Sequence, residues 1–200
     1  MKQVELVETT DTHYKISLNN KTITYPRVTS IIGSAGLTNL QYVKREVLEA
    51  NAKFGKFVHK ACYLWDKNEL KESTLDQDLI PYLNGWKLFR REVKWAKTIL
   101  MNEQLVYSHK WGYAGTEDRL FAKGYLVDIK TGLSVYPPAG LQLSAYAEAI
   151  KEMTRIVVKS RFVVQLKPDG YVLHEFSDLK DLGRFFACLT IFNAKKEWKL

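Results

Sequence analysis

The chain has 200 residues, enough for one domain with a substantial core and too few for two comfortable ones. Its 46% hydrophobic and 12% aromatic content exclude a disordered chain, and no stretch approaches the roughly 18 apolar residues of a membrane span. The net charge of +8 and pI near 9.3 favour a polyanionic partner, with nucleic acid ahead of acidic membranes.

Only Cys62 and Cys188 are present and no Cys-x-x-Cys pair occurs, which argues against a structural zinc or an iron–sulfur cluster. The opening Met-Lys-Gln-Val lacks the apolar core of a signal peptide, so a reducing, cytoplasmic location is expected.

Residues 3–8 and 13–18 alternate apolar and polar, and Asn19-Asn20 reads as a turn into Thr22–Tyr25. A small N-terminal β-meander over 1–26 is expected, ended by Pro26. Arg27 to Ile32 starts a short helix capped by Thr29 or Ser30, with a stop between Gly33 and Gly36. From about Leu40 to Lys67 the apolar residues recur at three- and four-residue intervals, a helix with Gly55 and His59 on one face. A helical histidine is commonly a packing residue, so His59 gains interest only from its company.

Asn68 to Asp78 is polar and expected to be a loop. Leu79 to Lys94 is amphipathic, with Tyr82, Leu83, Trp86, Phe89 and Val93 inward and Lys87, Arg90, Arg91 and Lys94 outward. That outer face either is solvated or touches phosphates. Thr98 to Ser108 alternates as a strand, and Glu103 is the one charged residue on its Ile99–Met101–Leu105–Tyr107 face. A carboxylate there either finds a cation, basic group or metal, or reaches solvent from an edge strand.

Two β-type runs then flank Ala122-Lys123-Gly124, the signature of a tight hairpin. With a three-residue loop ending on a left-handed Gly124, Phe121 opposes Tyr125 and, counting outward, Asp118 opposes Asp128. Lys130 then shares their face, because strand side chains alternate. A two-residue turn at Lys123-Gly124 would instead set Asp118 opposite Ile129. Two carboxylates held that close repel, and one takes a proton unless a cation lies between them; a divalent, oxygen-seeking ion such as magnesium resolves the conflict.

Pro137-Pro138 suits the start of a helix, and Leu141 to Met153 follows with Gln142 and Tyr146 on one face. Ile156 to Leu166 is β-branched and strand-like, Pro168-Asp169-Gly170 is a turn, and Tyr171 to Phe176 its hairpin partner. Ser177 or Asp178 caps a last helix through Phe192, followed by a basic tail. The expected fold is α/β: helices over 27–95, then over 96–200 a mixed central β-sheet flanked by helices and carrying the hairpin, all in one domain.

Taken in order, His59 in Gly-x-x-x-His, Glu103, Gly115-x-x-Asp118, Asp128-x-Lys130 and Gln142-x-x-x-Tyr146 resemble the PD-(D/E)XK nuclease superfamily. The nearest flavour is its RecB-like group, which includes phage and viral exonucleases and the mitochondrial genome maintenance exonuclease. Tyr25-Pro26-Arg27-Val28-Thr29-Ser30 also resembles the Pro-x-Val-Thr segment of several RecB-like proteins. The resemblance covers roughly residues 25–150. It implies a restriction-endonuclease-like core and a metal-dependent nuclease cutting DNA that is single-stranded or has a free end. An exonuclease is favoured over an endonuclease, serving recombination, repair or degradation of DNA, in the host cytoplasm if the source is viral.

The resemblance further implies a role at each position. Asp118, Asp128 and the Ile129 carbonyl would ligate Mg2+ or Mn2+, and His59 and Glu103 would complete that site or bind a second ion. Lys130 would orient or deprotonate the attacking water and stabilise transition-state charge. Gln142 and Tyr146 would hold the phosphate backbone or the water network. The proline of the family name is missing before Asp118, as is usual among RecB-like members. No Gly-x-x-x-x-Gly-Lys-[Ser/Thr] is present, so unwinding would fall to a partner such as a recombination or single-strand-binding protein. Two other readings compete: a nucleic-acid-binding module that kept the fold and lost the chemistry, and an unrelated basic α/β scaffold.

Overall fold

The computed structural model describes residues 4–18, 21–37 and 44–199. Val4–Thr9 (β1), His13–Leu18 (β2) and Lys21–Pro26 (β3) form an antiparallel sheet in the order β1-β2-β3. Its inner face, with Tyr14, Ile16 and Tyr25, packs on Ala114 of the main sheet. The Asn19-Asn20 turn and the helix start at Leu40–Val43 lie outside the described residues.

Val28–Ser34 (α1), Arg45–Asp66 (α2) and Ile80–Glu92 (α3) follow, then Ile99–Ser108 (β4), Tyr113–Phe121 (β5) and Tyr125–Lys130 (β6). Pro138–Thr154 (α4), Ser160–Lys167 (β7), Gly170–Glu175 (β8) and Asp181–Trp198 (α5) complete the chain. The main sheet has the order β4-β5-β6-β7-β8, with β6 and β7 parallel and the other pairs antiparallel. The expected mixed sheet with flanking helices and a small separate meander is the architecture found.

Alternation along the strands divides the core into two layers. Leu120, Leu126 and Val163 face α1, α4 and α5, against Ile31, Leu143, Ala149 and Phe185. Phe121, Val127, Ile129, Phe162 and Val164 face α2 and α3, against Val58, Cys62, Trp86 and Phe89. Among the described residues, no helix is long and apolar enough to cross a membrane.

Several local expectations are corrected. Arg27, not Thr29 or Ser30, stands at the N-cap of α1 and makes no side-chain cap. The start of that helix is set by a backbone bridge from Arg27 to Ala114 of β5, so tertiary pairing replaces the local cap. The loop over 68–78 contains short 3-10 turns at Glu72–Thr74 and Gln77–Leu79. Strand β7 begins at Ser160 rather than Ile156, because its parallel partner β6 begins at Tyr125, opposite Ser160. Helix α5 starts at Asp181, with Lys180 rather than Ser177 or Asp178 at its N-cap, and runs past Phe192 to Trp198. Lys195 and Lys196 in the last turn suit the negative end of its dipole.

Strand β4 departs most. Its register slips between Ile99 and Met101, and Glu103 has φ of +52°. The expected single face is therefore broken up: Ile99 packs with α3, Met101 with α4, and Leu105 and Tyr107 with the meander.

Candidate active site

The hairpin turn has the three-residue form. Gly124 has φ of +79°, its N–H donates to the Phe121 carbonyl at 2.8 Å, and Phe121 pairs with Tyr125, Leu120 with Leu126 and Arg119 with Val127. A two-residue turn is incompatible with that register. The ladder stops one pair short of the aspartates. There the Asp118 carboxylate enters the gap, and its Oδ2 accepts the Ile129 N–H at 2.6 Å. The two strands thus separate at the point where both carboxylates are buried.

Helix α2 supplies His59 from the other layer. Its Nε2 donates to the Ile129 carbonyl at 2.9 Å, which fixes the tautomer and turns Nδ1 towards the carboxylates. Nδ1 lies 3.3 Å from Asp118 Oδ1 and 3.6 Å from Glu103 Oε1. One ligand atom each from His59, Glu103 and Asp118 falls within 4.8 Å of the others. Gly55, one turn before His59, faces Thr131 just beyond β6, where a Cβ would stand in ordinary contact with Oγ1 at 3.4 Å.

The second half of the constellation sits beside the first. Lys130 Nζ is 2.9 Å from Asp128 Oδ2, and Gln142 Nε2 donates to Asp128 Oδ1 at 2.7 Å. Gln142 also reaches Tyr146 Oη at 3.3 Å and Lys130 Nζ at 3.5 Å. Gly115 makes room for the Tyr146 ring, since a Cβ on it would lie 2.3 Å from Tyr146 Cε1. All eight sequence-predicted residues therefore gather at one end of β5 and β6, with Ile129 between the two groups. His59, Glu103 and Asp118 converge most tightly; Asp128 is engaged by Lys130 and Gln142, and the Ile129 carbonyl by His59.

The charges are balanced by these neighbours. Burial opposes charge on His59, but Asp118 and Glu103 outweigh it and hold the imidazolium up at about 10. Burial alone would raise Asp118, yet His59, Lys130 and the Ile129 N–H bring it below the usual range. Asp128 is pushed up by burial, with Lys130 pulling against it and Asp118 adding repulsion. Burial works against the charge of Lys130 as well, and Asp128 and Asp118 more than restore it. The conflict expected of two close aspartates is relieved by an imidazolium and an ammonium.

Divalent cations fit the donors present. The carboxylate oxygens suit Mg2+ or Mn2+, whereas the imidazole nitrogen suits a transition-metal ion better than Mg2+. Among the described residues, Asp128 Oδ2 is buried with no directed hydrogen bond and has Lys130, at 2.9 Å, as its one close cation. On binding, an ion would take the place of the proton that His59 Nδ1 now carries.

A groove of about 950 Å³ opens onto this cluster, lined among others by Lys56, His59, Lys60, Tyr63, Glu103 and Lys130. A smaller cavity of about 200 Å³ lies on the other side of Lys130, against Tyr136 and Gln142. Lys56 and Lys60 are exposed, and no carboxylate pairs with either among the described residues.

Three charged residues of the neighbourhood escaped the sequence reading. Arg119 is fully buried; its Nε donates to Asp66 Oδ2 at 2.7 Å and its Nη1 to the Asp118 carbonyl at 2.6 Å. Asp66 also binds Arg90, which was expected on the outer, solvent- or phosphate-facing side of α3 and instead turns inward, donating to the Ala96 carbonyl at 2.7 Å. The signal was an arginine inside an otherwise buried strand, which must have a partner. The third, Glu117, is fully buried, and its Oε2 has no partner.

Glu117 yields a pH prediction. Burial pushes its carboxyl up to about 8 from 4.5, with the Gln104 N–H opposing and Asp118 reinforcing. Between these values the folded state holds a proton that the unfolded state has released, so stability falls as pH rises through that window. The slope approaches about 1.4 kcal/mol per pH unit. His59 adds a loss of the same sign only above its ordinary 6.5, where the unfolded chain releases its proton. Asp128, also pushed up by burial, adds a loss of the same sign, so urea unfolding of metal-free protein at pH 5.0–6.5 should show a declining stability whose slope Glu117→Gln reduces; equal slopes would refute the buried neutral carboxyl.

No protein-family model matches the chain, and no curated protein matches its sequence significantly. Among solved structures, the crystal structure titled "Putative exonuclease" from Eubacterium rectale matches with a TM-score of 0.50. The match covers 72% of this chain and 68% of that one at 10% identity. At that identity the likeness speaks to the fold. The chain thus has a mixed α/β fold shared with an exonuclease-like structure, carrying a histidine–carboxylate group suited to a metal ion.

Proposed function

We propose that this chain is a Mg2+- or Mn2+-dependent deoxyribonuclease of the PD-(D/E)XK superfamily, of the RecB-like or phage type, and an exonuclease. The single domain spans 1–200, and its work lies in recombination, repair or degradation of DNA. The observation that carries the reading is the convergence of His59, Glu103 and Asp118 beside Asp128, Lys130 and Gln142, with His59, Glu103 and Lys130 lining a groove that also carries Lys56 and Lys60.

A bound divalent ion would supply an acidified water and Lewis-acid polarisation of the phosphoryl oxygen. His59, Glu103, Asp118 and Asp128, with the Ile129 carbonyl, are the groups that would hold it. In the metal-free site burial opposes the charge of Lys130, and Asp128 and Asp118 raise its pKa against that effect. Lys130 is placed to orient or deprotonate the attacking water and to lend positive charge to the phosphoryl transition state. Gln142 donates to Asp128 and accepts from Lys130, so it locks the pair in one geometry. Tyr146 stays a neutral phenol, its pKa raised well above the ordinary value by burial, and can donate to a phosphate oxygen or to water.

The test is cleavage of end-labelled linear and covalently closed circular DNA with Mg2+ or Mn2+. Release of nucleotides from linear DNA alone is expected. Cutting of closed circles would make the enzyme an endonuclease, and DNA binding without cleavage would favour a binding module that has lost its chemistry.

Lys56 and Lys60 offer a second prediction. They stand one turn apart on the groove wall of α2, so each is placed to meet a phosphate. Without metal, the Lys56→Ala/Lys60→Ala protein should bind DNA more weakly, and the slope of log affinity against log salt should shrink by about 1.5. Fluorescence anisotropy at several salt concentrations measures it; an unchanged slope would place the nucleic acid elsewhere.

A further inference from the structure

Glu103 has the least relaxed backbone of the cluster. It is not a glycine, yet it takes φ of +52° in the middle of β4. An isolated left-handed residue with a side chain costs about 1–2 kcal/mol and persists only where its surroundings fix it. Its Oε1 is the oxygen that faces His59 Nδ1 at 3.6 Å. That same oxygen accepts from Arg119 Nη1 at 3.3 Å.

Arg119 is arranged to make that contact. A guanidinium that neutralises a buried aspartate frequently takes it with two parallel bonds. Here Asp66 divides its oxygens: Oδ2 accepts from Arg119 Nε at 2.7 Å, while Oδ1 takes Arg90 and the Trp86 indole N–H. The division leaves Nη1 free to bridge the Asp118 carbonyl and Glu103 Oε1. The Trp86 ring centre lies 5.3 Å from Cζ, and the remaining nitrogen, Nη2, is buried with no hydrogen-bond partner among the described residues. One fork thus reaches from an anchor shared by α2 and α3 to two residues of the metal-binding group, and the Arg119 side chain itself is fully buried.

We propose that Arg119 is a positioning residue that acts through Glu103. Anchored on Asp66, it fixes the Glu103 carboxylate towards His59 and Asp118 and so sets the divalent-ion affinity of the site. The inference rests on the metal-dependent reading above. Lysine keeps the charge at this position, but its one nitrogen cannot serve Asp66 and Glu103 together.

Titration calorimetry with Mn2+ on the full chain tests it. Loss of an outer partner of a metal ligand weakens binding by about 10–100-fold. Arg119→Lys should therefore raise the Mn2+ Kd by at least about tenfold. It should raise the half-saturating Mn2+ for cleavage in parallel, with kcat at saturating Mn2+ and metal-free DNA affinity nearly unchanged. In a Glu103→Gln background the same substitution should change the Kd by less than about twofold, because the two act in series. Should Arg119→Lys fail to fold, Asp66→Asn takes its place in the same cycle: the fork is kept, its anchor loosened, and the loss smaller.

A lowered melting temperature with unchanged Mn2+ affinity, or effects that multiply across the cycle, would overturn the positioning role. If the wild-type chain bound no Mn2+ at all, the metal-site reading itself would fall, and this inference with it. The two failures are therefore separable.

Discussion

Asp128→Asn and Lys130→Ala should each lower DNA cleavage by about 10³-fold, roughly 4 kcal/mol of transition-state stabilisation. The size follows from where the charges stand. Asp128 is buried, and among the described residues its Oδ2 has Lys130 at 2.9 Å as its one close cation. Asparagine keeps the volume and the Gln142 contact but removes the charge that pairs with the Lys130 ammonium and, in the proposed reading, would help hold the ion. Alanine at 130 deletes the cation that lies between the two cavities.

DNA binding supplies the control. Measured without metal, Asp128→Asn should bind DNA at least as well as wild type, since it removes a negative charge from the path of phosphates. Loss of cleavage with binding retained is the expected pair of results. Undiminished cleavage by both variants would remove these residues from the mechanism. Loss of binding by Asp128→Asn would point instead to damage of the fold.

Local rules carried much of this site. Ala122-Lys123-Gly124 was readable because a three-residue hairpin needs one left-handed residue and Gly124 supplies it. Once the turn is set, alternation alone brings Asp118, Asp128 and Lys130 to one face. Gly55 with His59, and Gln142 with Tyr146, follow from helical spacing. Two details escaped. The ladder ends before the aspartates meet as a cross-strand pair, since the Asp118 side chain takes the Ile129 N–H that a strand carbonyl would otherwise accept. Nothing in the residues around Glu103 announces a positive φ either, because that conformation is imposed by partners distant in sequence.

Charged residues were harder to place than apolar ones. An apolar stripe identifies its face by period, whereas a lysine or arginine on a helix reads as solvated whether or not it is. Lys87 conforms, pairing with exposed Glu72 at 2.6 Å. Arg90, three residues on, does not: it folds under Trp86 to reach Asp66. Arg119 is 53 residues from Asp66, and no local pattern links them. The helices could be read one at a time, but the network that ties them to the sheet could not.

That network sets the largest expected stability effect, the replacement of Asp66 by alanine. The Asp66 carboxylate is fully buried and takes Arg119, Arg90 and the Trp86 indole N–H. Its removal strands two guanidiniums, one of them wholly inaccessible to water. Breaking a buried pair from one side costs about 3–5 kcal/mol, because the surviving charge is left without compensation. For a chain of this size that corresponds to roughly 10 °C in melting temperature. Removing both sides is a different matter. In Asp66→Leu/Arg119→Met no guanidinium is left wholly buried, and the stability should recover by more than half of the loss. Thermal and urea unfolding of wild type, the single variant and the double variant measure both quantities. A loss below about 1 kcal/mol for Asp66→Ala would mean that water reaches Arg119 and that the anchor is not rigid. A double variant no more stable than the single one would place the cost in packing against Trp86 rather than in the stranded charge. If the double variant is stable but binds Mn2+ weakly, folding and metal affinity draw on the same arginine by separate routes: Nε towards Asp66 for the first, Nη1 towards Glu103 for the second.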